Sequence, residues 1–232
     1  MTDDIFMHEV YHGSRGGIKG RISPYSKRQY MDFGPGFYMG TYEMQTKALV
    51  CNDDPVFYTF RFDTERLSTR NILYLDGEAW LYTVLACLDR EHRFPELSAF
   101  RQALNQYDIV YGAFADDARR AAIREFADGN ITDLCLYEAL RAVPFGTQIN
   151  VRTEEGCECI VEQRHYEPGE DELTAVAEFS SAFRTMGKQA LRNMKIKYRR
   201  EGRYIEELLS DREHIQSLVP TGDNHGHDIG SI

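Results

Sequence analysis

Two short stretches of the chain gather residues suited to chemistry. Tyr11-His12-Gly13-Ser14 sets a histidine beside a glycine at the end of an apolar run, and about twenty residues on, Asp32-Phe33-Gly34-Pro35-Gly36-Phe37-Tyr38 places a Gly-x-Gly turn before an aromatic pair. A tyrosine offers an aromatic plane with a polar tip, which suits stacking on a flat ring. A glycine lets a ligand approach the backbone where any side chain would obstruct it. Gln148, opening a later apolar run, donates and accepts hydrogen bonds yet carries no charge.

The elements that must hold these residues follow from periodicity. Met7–His12, Gly36–Met39 and Val56–Phe62 read as strands separated by Gly- and Pro-rich turns. In the last of them Val56, Tyr58, Phe60 and Phe62 share one face. From about Asp76 the spacing turns helical, with Trp80, Val84 and Leu88 recurring every fourth residue. Tyr107–Gly112 is a buried-strand signal, followed by a helix over Ala118–Ala127 that Asp116 and Asp117 are placed to cap. A second helix runs from about Thr132 to Val143 and stops before Pro144, and Gln148–Thr153 reads as another strand. The expectation is an α+β domain over residues 1–165, a helical C-terminal extension over 166–220 and a frayed polar tail over 221–232.

Composition bounds the function. With 42% hydrophobic residues in 232, the chain can bury a substantial core. A net charge of −10 gives no general electrostatic reason to bind nucleic acid. The charge is uneven, because eight basic residues and one acidic residue lie between Arg184 and Arg203. A solvated helix face is the ordinary account of such a run; docking of a target or an inhibitory protein partner is the functional one. Five scattered cysteines, no basic n-region and no run of eighteen apolar residues point to a reducing compartment, a cytoplasmic location and no membrane partner.

Other motifs fall away. Asp32-Phe33-Gly34 lacks the catalytic loop of a kinase, and Gly13–Gly20 lacks the Gly-Lys-Ser/Thr ending of a phosphate loop. Cys157-x-Cys159 with His165 has the wrong spacing for zinc and no second pair, so no metal is expected.

Taken in order, YHGS at Tyr11–Ser14, DFGPGFY at Asp32–Tyr38, YDIVYG with Ala-Asp-Asp at Tyr107–Asp117, and the late strand with Gln148 resemble a little-characterised bacterial family placed in the ADP-ribosyltransferase fold, over about residues 7 to 155. The resemblance implies a split β-sheet core with flanking helices and NAD as substrate. It assigns His12 to a ribose hydroxyl of NAD, the Gly13 backbone to the nicotinamide carboxamide and Tyr38 to stacking on the nicotinamide ring. Gly34 and Gly36 shape the turn that carries Tyr38, Ser14 belongs to the same NAD-binding element, and Arg15 and Arg28 are candidate diphosphate contacts. Gln148 stands where better-known members carry the glutamate that orients the ribose and faces the oxocarbenium. Asn150 occupies the place where the arginine-modifying branch has a second glutamate. The helix at Met44–Val50 lacks the second tyrosine of many relatives, leaving Tyr42 or Tyr30 as substitutes.

The function implied is transfer of single ADP-ribose units from NAD to a protein or nucleic-acid acceptor, as in a bacterial toxin or a defence or regulatory effector. Hydrolysis of NAD is the variant with water as acceptor. The alternative is a weakly active or inactive module that binds NAD, another nucleotide or a partner on the same fold.

Overall fold

The computed structural model describes residues 5–25, 28–51, 54–115, 117–143 and 146–221. The strands are β1 (Val10–Arg15), β2 (Phe37–Gly40), β3 (Pro55–Phe62), β4 (Ile72–Leu75), β5 (Ile109–Ala113), β6 (Thr147–Val151) and β7 (Ile160–Tyr166). The helices are α1 (Glu43–Ala48), α2 (Thr64–Leu67), α3 (Gly77–Leu88), α4 (Ser98–Ala103), α5 (Asp117–Ala127), α6 (Asp133–Arg141), α7 (Glu154–Cys157), α8 (Glu170–Lys197), α9 (Ile205–Ser210) and α10 (Arg212–Ser217).

Local chemistry explains several boundaries. Asp63 caps α2 by accepting from the Glu65 and Arg66 amides, and Thr132 and Thr153 cap α6 and α7 through their hydroxyls. Gly129, at φ 70°, adopts the left-handed conformation that ends α5. Asp116 and Pro144, expected to start one helix and stop another, lie outside the described residues, as do the side chain of Asp117 and all of the tail beyond Thr221.

The fold is α+β, with one seven-stranded mixed sheet in the order β4-β5-β6-β2-β1-β3-β7 and helices flanking it. Among the described strands only β4 and β5 run parallel. Its middle is its weakest seam: β1 and β2 meet at one residue pair, Tyr11 with Gly40, whereas β1 and β3 align from Val10–Phe60 to Arg15–Pro55. The sheet is therefore two well-laddered leaves, β4-β5-β6-β2 and β1-β3-β7, joined at a narrow seam.

Strand alternation sends successive side chains to two cores. Along β5, Ile109 enters one cluster with Val10, Met39, Phe60, Ile149 and Val151. Val110 enters the other, with Phe33, Trp80, Phe100, Phe126 and Leu136. Helix α3 forms the second core because its tight apolar spacing buries Trp80 through Cys87, and the Trp80 indole N–H donates to the Ala113 carbonyl at 2.9 Å.

The C-terminal helices are part of this core. Ile205, Leu208 and Ile215 are buried in the same cluster as Trp80, and α8 packs along α1, α5 and α6. Among the described residues no helix is long and apolar enough to cross a membrane.

Candidate functional site

The seam places His12. Its Nδ1 lies 2.7 Å from the Tyr38 carbonyl oxygen, so the imidazole bridges β1 and β2 just where the backbone ladder fails. A carbonyl can only accept, so Nδ1 carries the proton and Nε2 is left as an acceptor. Burial pushes the imidazole pKa down to about 4, overriding the opposing effect of that hydrogen bond, and the ring is neutral at pH 7. It stacks on Phe37 at 4.5 Å, on the side of the sheet opposite to the Tyr38 side chain.

Tyr38 is held at its tip. Its hydroxyl donates to the Gly34 carbonyl at 2.6 Å and accepts from the Phe33 amide at 3.0 Å. Burial, with the Asp32 carboxylate nearby, keeps that hydroxyl well above its usual pKa. The ring is thus fixed to the turn that precedes it. Gly34, at φ 71°, makes that turn possible. A Cβ at Gly36 would fall 1.8 Å from the Asn150 side-chain oxygen, so this glycine exists to let β6 approach.

Gln148 lies on the Tyr38 side of the sheet with 2% of its surface exposed. Its amide nitrogen donates to Asp32 Oδ2 at 2.8 Å and to the Ala113 carbonyl at 3.3 Å. Both amide protons are spent on groups that can only accept, which fixes the flip of the amide and leaves Oε1 as the available acceptor. Asp32 is itself buried and fully engaged: Arg120 donates to Oδ1 through both Nε and a terminal nitrogen, at 3.1 and 2.7 Å, and the Ala115 amide donates to Oδ2 at 3.2 Å.

Of the expected site residues, the structure brings Tyr38, Gln148, Gly34 and Gly36 into one network. His12 joins it through the Tyr38 backbone alone. Gly13 borders α1, where a Cβ would fall 2.4 Å from Val50 Cγ2. Ser14 continues β1 opposite Val56, while Arg15 and Arg28 are exposed side chains. The two candidate second aromatics are engaged elsewhere. Tyr42 meets Phe179 of α8 edge-on at 5.7 Å, and Tyr30 lies beneath the guanidinium groups of Arg90 and Arg101.

Sequence reasoning passed over Arg120 and Arg152, and it named Asp32 and Asn150 without giving them a place in the site. The Asn150 amide donates to the Phe33 carbonyl at 2.9 Å, and Arg152 donates to the Phe33, Pro35 and Leu104 carbonyls. A signal for two of them was present: Gln148, Asn150 and Arg152 recur at every second position of a strand whose other residues are Ile149 and Val151. One face of β6 is apolar and the other is a polar ladder that clamps the loop before Tyr38.

Across known proteins, a family model described as a protein of unknown function (DUF3990) matches residues 8–161. No curated protein and no solved structure matches the chain.

Proposed function

The chain belongs to this DUF3990 family, and from its motifs and site geometry we propose that it is an NAD-dependent mono-ADP-ribosyltransferase acting on a macromolecular acceptor, using an ADP-ribosyltransferase-like split sheet. The observation that carries the reading is the neutral His12 at the seam, fixed through Nδ1 to the Tyr38 carbonyl and presenting Nε2 as an acceptor. A ribose hydroxyl is a donor that such a nitrogen recognises. Gln148 lies on the opposite face of the sheet, so its oriented Oε1 is an acceptor separate from His12 Nε2 and does not converge with it on one sugar.

In the reaction, the bond between the ribose C1′ and the nicotinamide nitrogen breaks and nicotinamide leaves with the bonding pair. The acceptor's lone pair then forms the new bond to C1′, and the acceptor releases a proton. The positive charge that develops on the ribose calls for a negative partner. Gln148 supplies none. The Asp32 carboxylate stands one hydrogen bond behind it, already neutralised by Arg120. The geometry therefore favours binding and orientation over charge stabilisation, and slow turnover is expected.

A second reading, a nucleotide-binding or partner-binding module without turnover, is favoured by one observation: Gln148 is buried and bound on both amide protons. Titration calorimetry with NAD, combined with a nicotinamide assay on the same samples, separates the two. The transferase reading expects binding and slow nicotinamide release, lost in His12→Ala. Binding without release selects the module, and no binding by wild-type protein overturns the NAD reading.

A further inference from the structure

On the far side of the Gly34–Pro35 turn lies a cavity of about 600 Å³, walled by Ala86, Phe94, Pro95 and Leu104 and lined by the guanidinium-bearing Arg101 and Arg152. Its charge is unbalanced. Arg152 has most of its surface buried, and its donors go to the Leu104, Phe33 and Pro35 carbonyls and the Asn105 side-chain oxygen, all of them uncharged. Among the described residues no carboxylate lies within ion-pair distance of Arg152, Arg101 or Arg90, although this chain carries 37 acidic residues. The carboxylate in the wall, Asp89, accepts the Phe94 amide at 2.9 Å.

Burying a cation without a counter-ion is costly, and natural proteins pair such groups. Here burial lowers the Arg152 pKa, and the positive charge of Arg101 lowers it further. Arg101 makes no hydrogen bond within the described residues and rests on the Tyr30 ring at 5.8 Å, so its five N–H donors are available. Arg152 keeps one terminal N–H unspent. The unspent fork of Arg101 matches the oxygens of a phosphate, which accept two parallel N–H bonds, and the one remaining N–H of Arg152 adds a further donor in the same lining. The apolar walls beside them offer a surface for a flat ring, and the volume falls within the range of pockets that hold small ligands. His92, at the rim, is held at φ 54°, a left-handed conformation that side chains rarely adopt and that gathers at binding sites.

We propose that the Arg101–Arg152 cavity is a phosphate-binding subsite for a nucleotide-like ligand, with Arg101 as the recognising fork and Arg152 as the buried charge that the phosphate neutralises. The phosphate has two possible sources, the diphosphate of NAD or a separate phosphorylated ligand. The inference stands on charge and cavity, and it survives failure of the NAD reading.

The test uses inorganic pyrophosphate as probe, titrated into the full chain and into Arg101→Gln. The substitution alters a half-exposed side chain whose described contact is the Tyr30 ring, so the fold is retained. Wild-type binding, weakened at least about tenfold in the variant, is the expected result. Arg152→Lys, which keeps the charge and loses the fork, is expected to fall between the two. NAD titration of Arg101→Gln then assigns the source: a parallel loss of NAD affinity identifies the diphosphate of NAD, and unchanged NAD affinity or absent NAD binding identifies a separate ligand. Absence of pyrophosphate binding by the wild-type chain, or equal binding by Arg101→Gln, overturns the proposal.

Discussion

Replacing Gln148 by glutamate turns the amide that donates to Asp32 into a second buried carboxylate. The donor and acceptor are 2.8 Å apart in the native chain, so Gln148→Glu sets two like charges in direct contact. At a separation relaxed to about 4 Å and an effective dielectric of about 20, their repulsion is about 4 kcal/mol. Loss of the charge-assisted hydrogen bond to Asp32 adds about 1.5–3 kcal/mol. Arg120 is already bound to Asp32 with a third of its side chain exposed, and it returns part of this by sharing its charge between the two acids. The net expectation is about 3–5 kcal/mol of destabilisation at pH 7.5, or a fall in Tm of about 10 °C for a chain of this size. Two carboxylates in one site raise the pKa of the pair in the folded state. The penalty is therefore full above that raised pKa and shrinks as the pH falls towards about 4.5, where the unfolded acids also take up protons. Thermal melts at pH 7.5 and 4.5 measure both terms. Asp32→Asn placed in the Gln148→Glu background restores a donor facing an acceptor and should recover most of the loss at pH 7.5. A Gln148→Glu protein that melts within about 2 °C of wild type at pH 7.5 would falsify the assigned orientation of the amide, since that shift is below 1 kcal/mol.

Three further outcomes can be checked. The His12 pKa is lowered in the folded state, so the stability it confers is present above about pH 6.5 and is lost as the pH falls towards about 4, by roughly 2–3 kcal/mol; denaturant melts across that window should show the loss, and His12→Gln should flatten it. Gly13→Ala drives a methyl into Val50 and should cost about 1–3 kcal/mol by overpacking, with Val50→Ala restoring part of the melting temperature in the double variant. Truncation after Lys197 removes Ile205, Leu208 and Ile215 from the main core. At about 1.5–3 kcal/mol per buried side chain this approaches the whole stability of an ordinary domain, and the product should lose its sharp thermal transition.

Periodicity made most of the elements legible. Val56–Phe62, Trp80–Leu88 and Ala118–Ala127 read correctly because each alternates or repeats strongly enough to announce its period. β4 escaped notice because four residues, Ile72–Leu75, are too few to set a period. β7 escaped because it is an edge strand with residues Val161–His165 exposed, so no apolar alternation marks it. The C-terminal helices looked like an appendage because local spacing says nothing of what a helix packs against, and their apolar residues complete a core begun more than a hundred positions earlier. The same limit applied at the site. His12, Tyr38 and Gln148 stood out by motif, whereas the Asp32–Arg120 pair that orients Gln148 joins residues 88 positions apart, a separation that leaves no local trace.

The five cysteines give the folded chain a further property. All are buried and unpaired. Burial pushes the Cys87 and Cys157 thiols up to about 12 and raises those of Cys135 and Cys159, so the nucleophilic thiolate is suppressed as well as hidden. At these four positions the native protein is accordingly mute towards alkylating reagents, and labelling there records an opening of the structure. The positions divide usefully, because Cys87 and Cys135 belong to the core on one face of the sheet and Cys157 and Cys159 to the core on the other. The order in which these sulfurs become labelled is a clock, built into the natural sequence, for which layer of the molecule loosens first.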